Sequence, residues 1–292
     1  MDDVETISLG NLLKKQFTPG NHMIGGGLLH RGSLLVIGGG PKAWKSVISC
    51  SMMAHLATAK PLFNIHRVVR ETQREYTFPI NEAVKTILYL EQEIGEEDLK
   101  DRFQAYIKGL NNEARILCSE RIHIHSRDGR MRLDTKDGVD NLREVIARVG
   151  PQVVFFDPLI EFHSKDENNA SDMMKVLQPL TALMMELEFS AVVNHHSTKP
   201  NEKNGRYGAE LLRGSSALHG KGDSFMMLKK DGKENGKVRV TFDLRRGRKV
   251  RDLFLKVNED NFHVDFMNWA DTPKGKTAEF PSASLIQFGA KK

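Results

Sequence analysis

Residues 33–46 read Ser33-Leu34-Leu35-Val36-Ile37-Gly38-Gly39-Gly40-Pro41-Lys42-Ala43-Trp44-Lys45-Ser46, and this stretch decides the fold. Its first half is a short apolar run ending in glycines, the pattern of a buried strand. Ser46–Ala59 follows with apolar side chains at Val47, Ile48, Met52 and Leu56, which predicts a helix. Between them the chain fits GxxxxGK[ST], with Gly39 first, Lys45 as the lysine and Ser46 as the hydroxyl. Small residues let backbone N–H groups curl around phosphates, and a helix N-terminus adds positive potential. Gly39, Gly40, Pro41, Lys42, Ala43, Trp44, Lys45 and Ser46 are therefore expected to cradle a nucleotide. Lys45 would reach the β- and γ-phosphates, and Ser46 would coordinate Mg²⁺. Trp44 stands where the pattern has glycine. Its side chain must point away from the phosphates, or the loop must change shape.

Outward from this loop, strands alternate with longer helical segments. Thr86–Leu90, Ile122–His125, Gln152–Phe156 and Ala191–Asn194 read as strands; Glu96–Lys108, Val139–Val149 and Ala170–Leu187 read as helices. Such alternation predicts crossover connections and an α/β fold with a mostly parallel sheet. From Ser224 the pattern changes. Phe225–Lys229, Lys237–Leu244 and Asp252–Val257 alternate more, joined by Asp231-Gly232 and Asn235-Gly236, so an antiparallel hairpin extension is expected. The expected layout is an N-terminal segment over 1–30 as a candidate subunit-contact arm, a core over 31–267, and a polar tail over 268–292.

The chain has 292 residues, 39 % of them apolar and 28 % charged, which fits a globular protein and excludes a mostly disordered one. No window approaches 18 uninterrupted apolar residues, so no membrane partner is expected. The acidic start, MDDVETISLG, lacks a signal-like apolar run, and Cys50 and Cys118 are the only cysteines. A reducing cytoplasm is the expected compartment. Formal net charge is +5, from 43 Lys+Arg and 38 Asp+Glu. Lys199 to Lys256 holds 16 basic and 7 acidic residues, a local excess of +9, while the rest of the chain is at −4. That stretch is either a solvated basic surface or a polyphosphate-binding face.

A phosphate loop needs acids. Val153 to Phe156 are apolar and end in Asp157, as when a buried parallel strand delivers a carboxylate to its C-terminal edge; Asp157 is the expected second group for Mg²⁺. The strand ending at Leu90 runs into Glu91-Gln92-Glu93, where one carboxylate could polarise the attacking water. If the strand persists, both glutamates face one side, and spacing leaves the choice open. The strand ending at Asn194 runs into His195-His196, and His196 is the expected γ-phosphate contact; no third ligand of suitable spacing supports a zinc site.

Together, MIGGGLLHRGSLLVIGGGPKAWKS, ILYLEQEIGEEDLKDRF, VVFFDPLIEFH with DENNASDMMKVLQPL, VVNHHSTKP and TFDLRRGRKVRDLFLKV resemble the RecA-like ATPase core of hexameric helicases of the DnaB and plasmid RepA type. The resemblance covers Gly25 to Val257. It implies a RecA-like P-loop fold, ATP and Mg²⁺, a homo-oligomeric ring of six, and single-stranded DNA as partner. It puts the catalytic glutamate at Glu93 and the sensor at His196. The arginine finger falls at Arg245, with Arg246 and Arg248 as alternatives. Lys199, Lys203, Arg206, Tyr207 and Arg213 become a channel loop that follows a strand's backbone. Trp44 and Asp243, where the family has a lysine before the finger, depart from the pattern. The implied function is a replicative-type helicase of a plasmid, phage or mobile element. The alternative is a nucleotide-dependent DNA-binding or assembly protein with little unwinding.

Overall fold

The structure is a computed structural model that describes residues 6–16, 21–65, 78–197, 212, 215–232, 234–246 and 250–270. It opens with α1 (Leu9–Lys14) and an antiparallel pair, β1 (His22–Ile24) and β2 (Leu29–His30). The strand and helix flanking the glycine loop are β3 (Leu34–Gly39) and α2 (Lys45–Thr58). Then come β4 (Ile87–Glu91), α3 (Glu96–Lys108), α4 (Asn112–Arg121), β5 (Ile122–Ser126), α5 (Lys136–Val149), β6 (Val153–Asp157), α6 (Ala170–Glu186), β7 (Ser190–His196) and α7 (Ser215–Lys221). The chain finishes with β8 (Ser224–Lys230), β9 (Lys237–Leu244), β10 (Leu253–Val257) and β11 (Val264–Trp269).

One nine-stranded sheet carries the order β11-β10-β9-β8-β3-β7-β6-β4-β5. From β8 to β5 every pairing is parallel, and β9, β10 and β11 continue it antiparallel. The expected α/β class, mostly parallel sheet and antiparallel extension are all present.

Both faces of β3, β4, β6 and β7 are covered, which is why these strands read as apolar runs; the edge strand β5 is partly exposed. Leu35, Ile37, Ile87, Tyr89, Val153 and Phe155 join one core with α2, α3 and α4. Leu34, Val36, Leu88, Leu90, Val154 and Phe156 join a second with α5, α6 and α7. Each fully buried Leu or Phe contributes roughly 1.5–3 kcal/mol relative to exposure. Helix α2 is buried all round except at its two ends. Gly38 leaves room for its neighbours: a Cβ there would lie 2.5 Å from Leu212 Cδ2 and from Met227 Sδ on β8, and those side-chain ends would have to shift.

The sequence pattern misses α1, α4, α7, the β1–β2 pair and β11. Helix α4 buries only Ala114 and Cys118, so its apolar stripe is too thin to read. Helix α7 is short and rich in serine and glycine, poor helix formers. Strand β11 alternates, but Asp265 and Asn268 break its apolar character, and its last two residues fall in the stretch read as a polar tail.

His55, in the last turn of α2, is buried with its ring 6.4 Å from that of Phe63. Burial holds its imidazole at about 4, below the ordinary 6.5, against the opposing pull of Asp265. The unfolded chain therefore takes up this proton first as pH falls. Stability tied to neutral His55 is complete above about pH 6.5 and is lost toward pH 4, by about 2 kcal/mol between pH 7.5 and 5. Urea unfolding of wild type and His55→Gln at those two pH values checks this: the variant should lose less stability on acidification. Equal losses would refute it.

Candidate nucleotide site

Strand alternation decides which polar groups meet. In β7, Val192 packs on the α2 face, so Asn194 and His196 share that face while His195 points to the other. Asn194 Oδ1 accepts from the Ser49 hydroxyl of α2 at 3.1 Å. His196 Nδ1 lies 3.5 Å from Lys45 Nζ. His195 is fully buried, with Nδ1 3.4 Å from Glu167 Oε1. The two histidines thus face opposite ways across the sheet.

In β4 and β6 the same parity carries Tyr89 and Phe155 onto the α2 face, then Glu91 and Asp157, which pair directly. Asp157 is buried, and its Oδ2 accepts from the Tyr89 hydroxyl at 2.7 Å. Burial pushes the Tyr89 hydroxyl well above its ordinary pKa, and the Asp157 charge adds to this.

At the loop, Lys45 is buried at the start of α2, and its ammonium donates to the carbonyls of Gly39 at 3.2 Å and Gly40 at 3.1 Å. Burial lowers its pKa; the charges of Asp157 and Glu93 oppose that. Ser46 is half-buried in the first turn. Pro41 and Lys42 are exposed, and Ala43 N donates to Gly40 O. Trp44 adopts φ 68°, the left-handed region the pattern's glycine would use. Its indole packs against the core beneath Lys230, whose Nζ lies 5.9 Å from the ring centroid. Lys42, at φ 60°, is left-handed too. No side chain caps α2, whereas Asn111, Thr135 and Asn169 cap α4, α5 and α6. The first amides of α2 are thus left for another acceptor.

The two glutamates separate because β4 does not persist. It stops at Glu91, whose side chain is 2 % exposed and turns back on the chain. Its Oε1 accepts from Glu93 N at 3.1 Å, and both oxygens accept from Ile94 N at 3.0 and 2.9 Å. Burial pushes the Glu91 carboxyl up to about 7; the Ile94 and Glu93 amides resist and the Asp157 charge assists. Glu93 is exposed.

Arg245 and Arg246 lie at the other end of the molecule. Leu244 pairs with Ser224, and Asp223 accepts from Leu34 N, where β3 begins. Arg245 is exposed and donates to the carbonyls of His219, at 2.6 Å, and Gly220 at the end of α7. Arg246 faces Asp223 at 3.8 Å. Arg248, Lys199, Lys203, Arg206, Tyr207 and Arg213 lie outside the described residues. Lys199, Lys203, Arg206 and Tyr207 fall between Ser197 and Leu212, which pair with each other, and Ser197 N donates to Gly39 O.

Three contributors escape the sequence pattern: Tyr89, Ser49 and Arg127. Arg127 donates from Nη2 to Glu93 O at 2.9 Å. For Tyr89 a signal exists, since it stands two residues before Glu91 on one strand face. Arg127 shows none.

The AAA domain family model (AAA_25) matches residues 4–202, well over half of the chain. No curated protein matches. Among solved structures, the ATPase domain of G40P is similar with a TM-score of 0.58 at 13 % identity, over 86 % of this chain and 93 % of that one. A DnaB-like replicative helicase, described with its interactions with primase, gives 0.56 at 14 %, over 88 % and 64 %. The KaiC-like protein PH0186 from Pyrococcus horikoshii OT3 gives 0.54 at 12 %, over 87 % and 99 %. At such identities the likeness is one of fold, a RecA-like P-loop ATPase core also found in DnaB-like helicases. Loop, sheet order and family match agree, and the chain belongs to the AAA domain family.

Proposed function

We propose that this chain is an ATP-hydrolysing, ring-forming motor that acts on single-stranded DNA as a replicative-type helicase. The observation that carries the reading is the meeting of four groups on one sheet edge: Lys45 and Ser46 at an uncapped helix start, buried Asp157, and Glu93 close enough to act on Lys45. The donor set suits a magnesium–triphosphate. A hydroxyl and a carboxylate are hard oxygen ligands, and of the two influences that raise Glu91, burial first and then the Asp157 charge, a cation would relieve the second. When bound, Mg²⁺ would neutralise charge developing on the phosphates. Lys45 would exchange its loop carbonyls for phosphate oxygens. Tyr89 would hold the Asp157 carboxylate in one orientation. Glu93 would orient the attacking water and accept its proton. His196, beside Lys45, would contact the terminal phosphate and pass its loss to the segment that starts at Ser197.

Arg245 supports a multi-subunit site. It sits at the sheet edge opposite Lys45, so it would act on the nucleotide of a neighbouring copy. The basic loop holding Lys199, Lys203, Arg206, Tyr207 and Arg213 would follow the DNA backbone, and its feet beside Gly39 would tie it to the phosphate loop. A second reading, a nucleotide-dependent DNA-assembly protein with little unwinding, is favoured by Trp44. Its indole ties the loop to the core, and a tied loop reshapes slowly at each turnover.

Single-stranded DNA should raise the ATPase rate, and added salt should weaken that effect as phosphate contacts are screened. Lys45→Ala should abolish hydrolysis, and Glu93→Gln should lower kcat by about 10²–10⁴. A rate indifferent to DNA would remove the motor reading. ATP-dependent separation of a forked duplex, with Lys45→Ala as control, divides the helicase from the assembly protein.

Arg245→Ala should cost on the order of 10³ in kcat. Mixing it with Lys45→Ala subunits should restore activity, because an intact Lys45 then meets an intact Arg245 across an interface. No recovery in co-assembled rings would overturn the action in trans.

A further inference from the structure

We infer that Glu91 and Arg127 are positioning residues for Glu93, clamping from two sides the turn that presents its carboxylate; the purpose given to that turn rests on the ATPase reading above.

The turn lies between the last residue of β4 and the first turn of α3. A free chain here would have many conformations, and Glu93 is exposed, so packing does not fix it. From below, the buried Glu91 carboxylate collects the Glu93 and Ile94 amides in three contacts of 2.9–3.1 Å. Gln92 N donates to Asp157 O at 3.0 Å, which ties the same turn to the strand carrying the expected metal ligand.

From above, Arg127 makes the second grip. Its backbone N donates to Glu91 O at 2.9 Å, and its Nη2 donates to Glu93 O at 2.9 Å. The guanidinium lies across the turn, since a Cβ on Gly95 would be 3.5 Å from Nη1. Arg127 holds φ 44°, a conformation disfavoured for a residue with a Cβ. Such backbone persists where surrounding contacts over-determine it. One arginine at the end of β5 thus bonds both ends of the three-residue step from Glu91 to Glu93.

Both residues act through Glu93, so they should govern turnover rather than nucleotide affinity. The test uses the full chain with single-stranded DNA and four variants: Arg127→Ala, Arg127→Lys, Glu91→Leu and Glu91→Gln. Arg127→Ala and Glu91→Leu should each lower kcat by about 10²-fold, the cost of misplacing a catalytic group by an ångström. Binding of a fluorescent ADP analogue should be unchanged. Arg127→Lys and Glu91→Gln, which keep a donor and an acceptor, should regain part of the rate. Hydrogen exchange at the Glu93 and Ile94 amides should quicken in Arg127→Ala and Glu91→Leu, with the sheet still protected. Arg127 is exposed, so Arg127→Ala remains decisive if Glu91→Leu does not fold. Wild-type kcat and amide protection in Arg127→Ala would overturn the inference, as would loss of ADP affinity in step with kcat. A wild type without ATPase activity would defeat the reading above instead, and the exchange measurement would still judge the clamp.

Discussion

The structure depends on one constraint: a parallel sheet buried on both faces can offer polar groups only where its strands run out. In β3, β4, β6 and β7 nearly every residue faces one core or the other, and Leu35, Leu88, Val154 and Val192 have no freedom to be polar. At the C-terminal edge the alternation continues for one or two residues past the apolar run. Residues of one parity then meet α2, and residues of the other meet the opposite core. Glu91, Asp157, Asn194 and His196 share the first parity and converge on the start of α2. His195 has the second and finds Glu167. A one-residue slip in β7 would exchange the two histidines, so the register that buries Val192 and Val193 also determines which histidine stands beside Lys45.

Charge within this edge is tightly coupled. Lys45 is the buried cation of the loop, the charges of Asp157 and Glu93 act on it, and Glu91 lies beside Asp157. Burial works against the charges of Lys45 and Glu91. Loop carbonyls hold Lys45, the Tyr89 hydroxyl holds Asp157, and turn amides hold Glu91. Glu91 keeps a pKa near 7 because the pull of burial and of Asp157 exceeds that of the amides. Such a balance is sensitive to any charge that arrives, and a phosphate with its counter-ion changes every member at once. Trp44 belongs to the same economy of space. With a left-handed φ and its indole held by the core and Lys230, it keeps the backbone shape that the glycine motif requires.

Much of the fold was legible because both faces of the sheet are covered. Continuous apolar runs announced β3, β4, β6 and β7, and the loop between β3 and α2 announced what they serve. Fold elements that bury little were silent: α4 hides two side chains and β11 shows a mixed face. Among the candidate residues, those adjacent to a strand end could be placed at the sheet edge from their spacing, as Asp157 and His196 were. Glu91 against Glu93 could not be chosen, because the choice lies in where β4 stops. It stops when the Glu91 carboxylate captures the amides ahead of it, a contact over three residues that propensity does not encode. Tyr89 with Asp157 and Arg127 with Glu93 join residues 68 and 34 positions apart. Only tertiary structure brings such pairs together.

Sheet geometry also bears on the arginines. Strand β3 has six residues, which at about 3.3 Å each makes roughly 20 Å from its first residue to the loop. Arg245 sits beside Asp223 at the beginning of that distance, and Lys45 stands just past its end. An extended arginine side chain covers less than half the gap, so Arg245 would have no route to a phosphate at its own Lys45. Within its own chain it grips the last carbonyls of α7 instead. Arg245 and Arg246, within the stretch that carries the local excess of +9, thus stand a strand length from the phosphate loop. Either would serve a phosphate there only if another molecule brought it. Assembly would then be a condition of catalysis rather than a consequence of it.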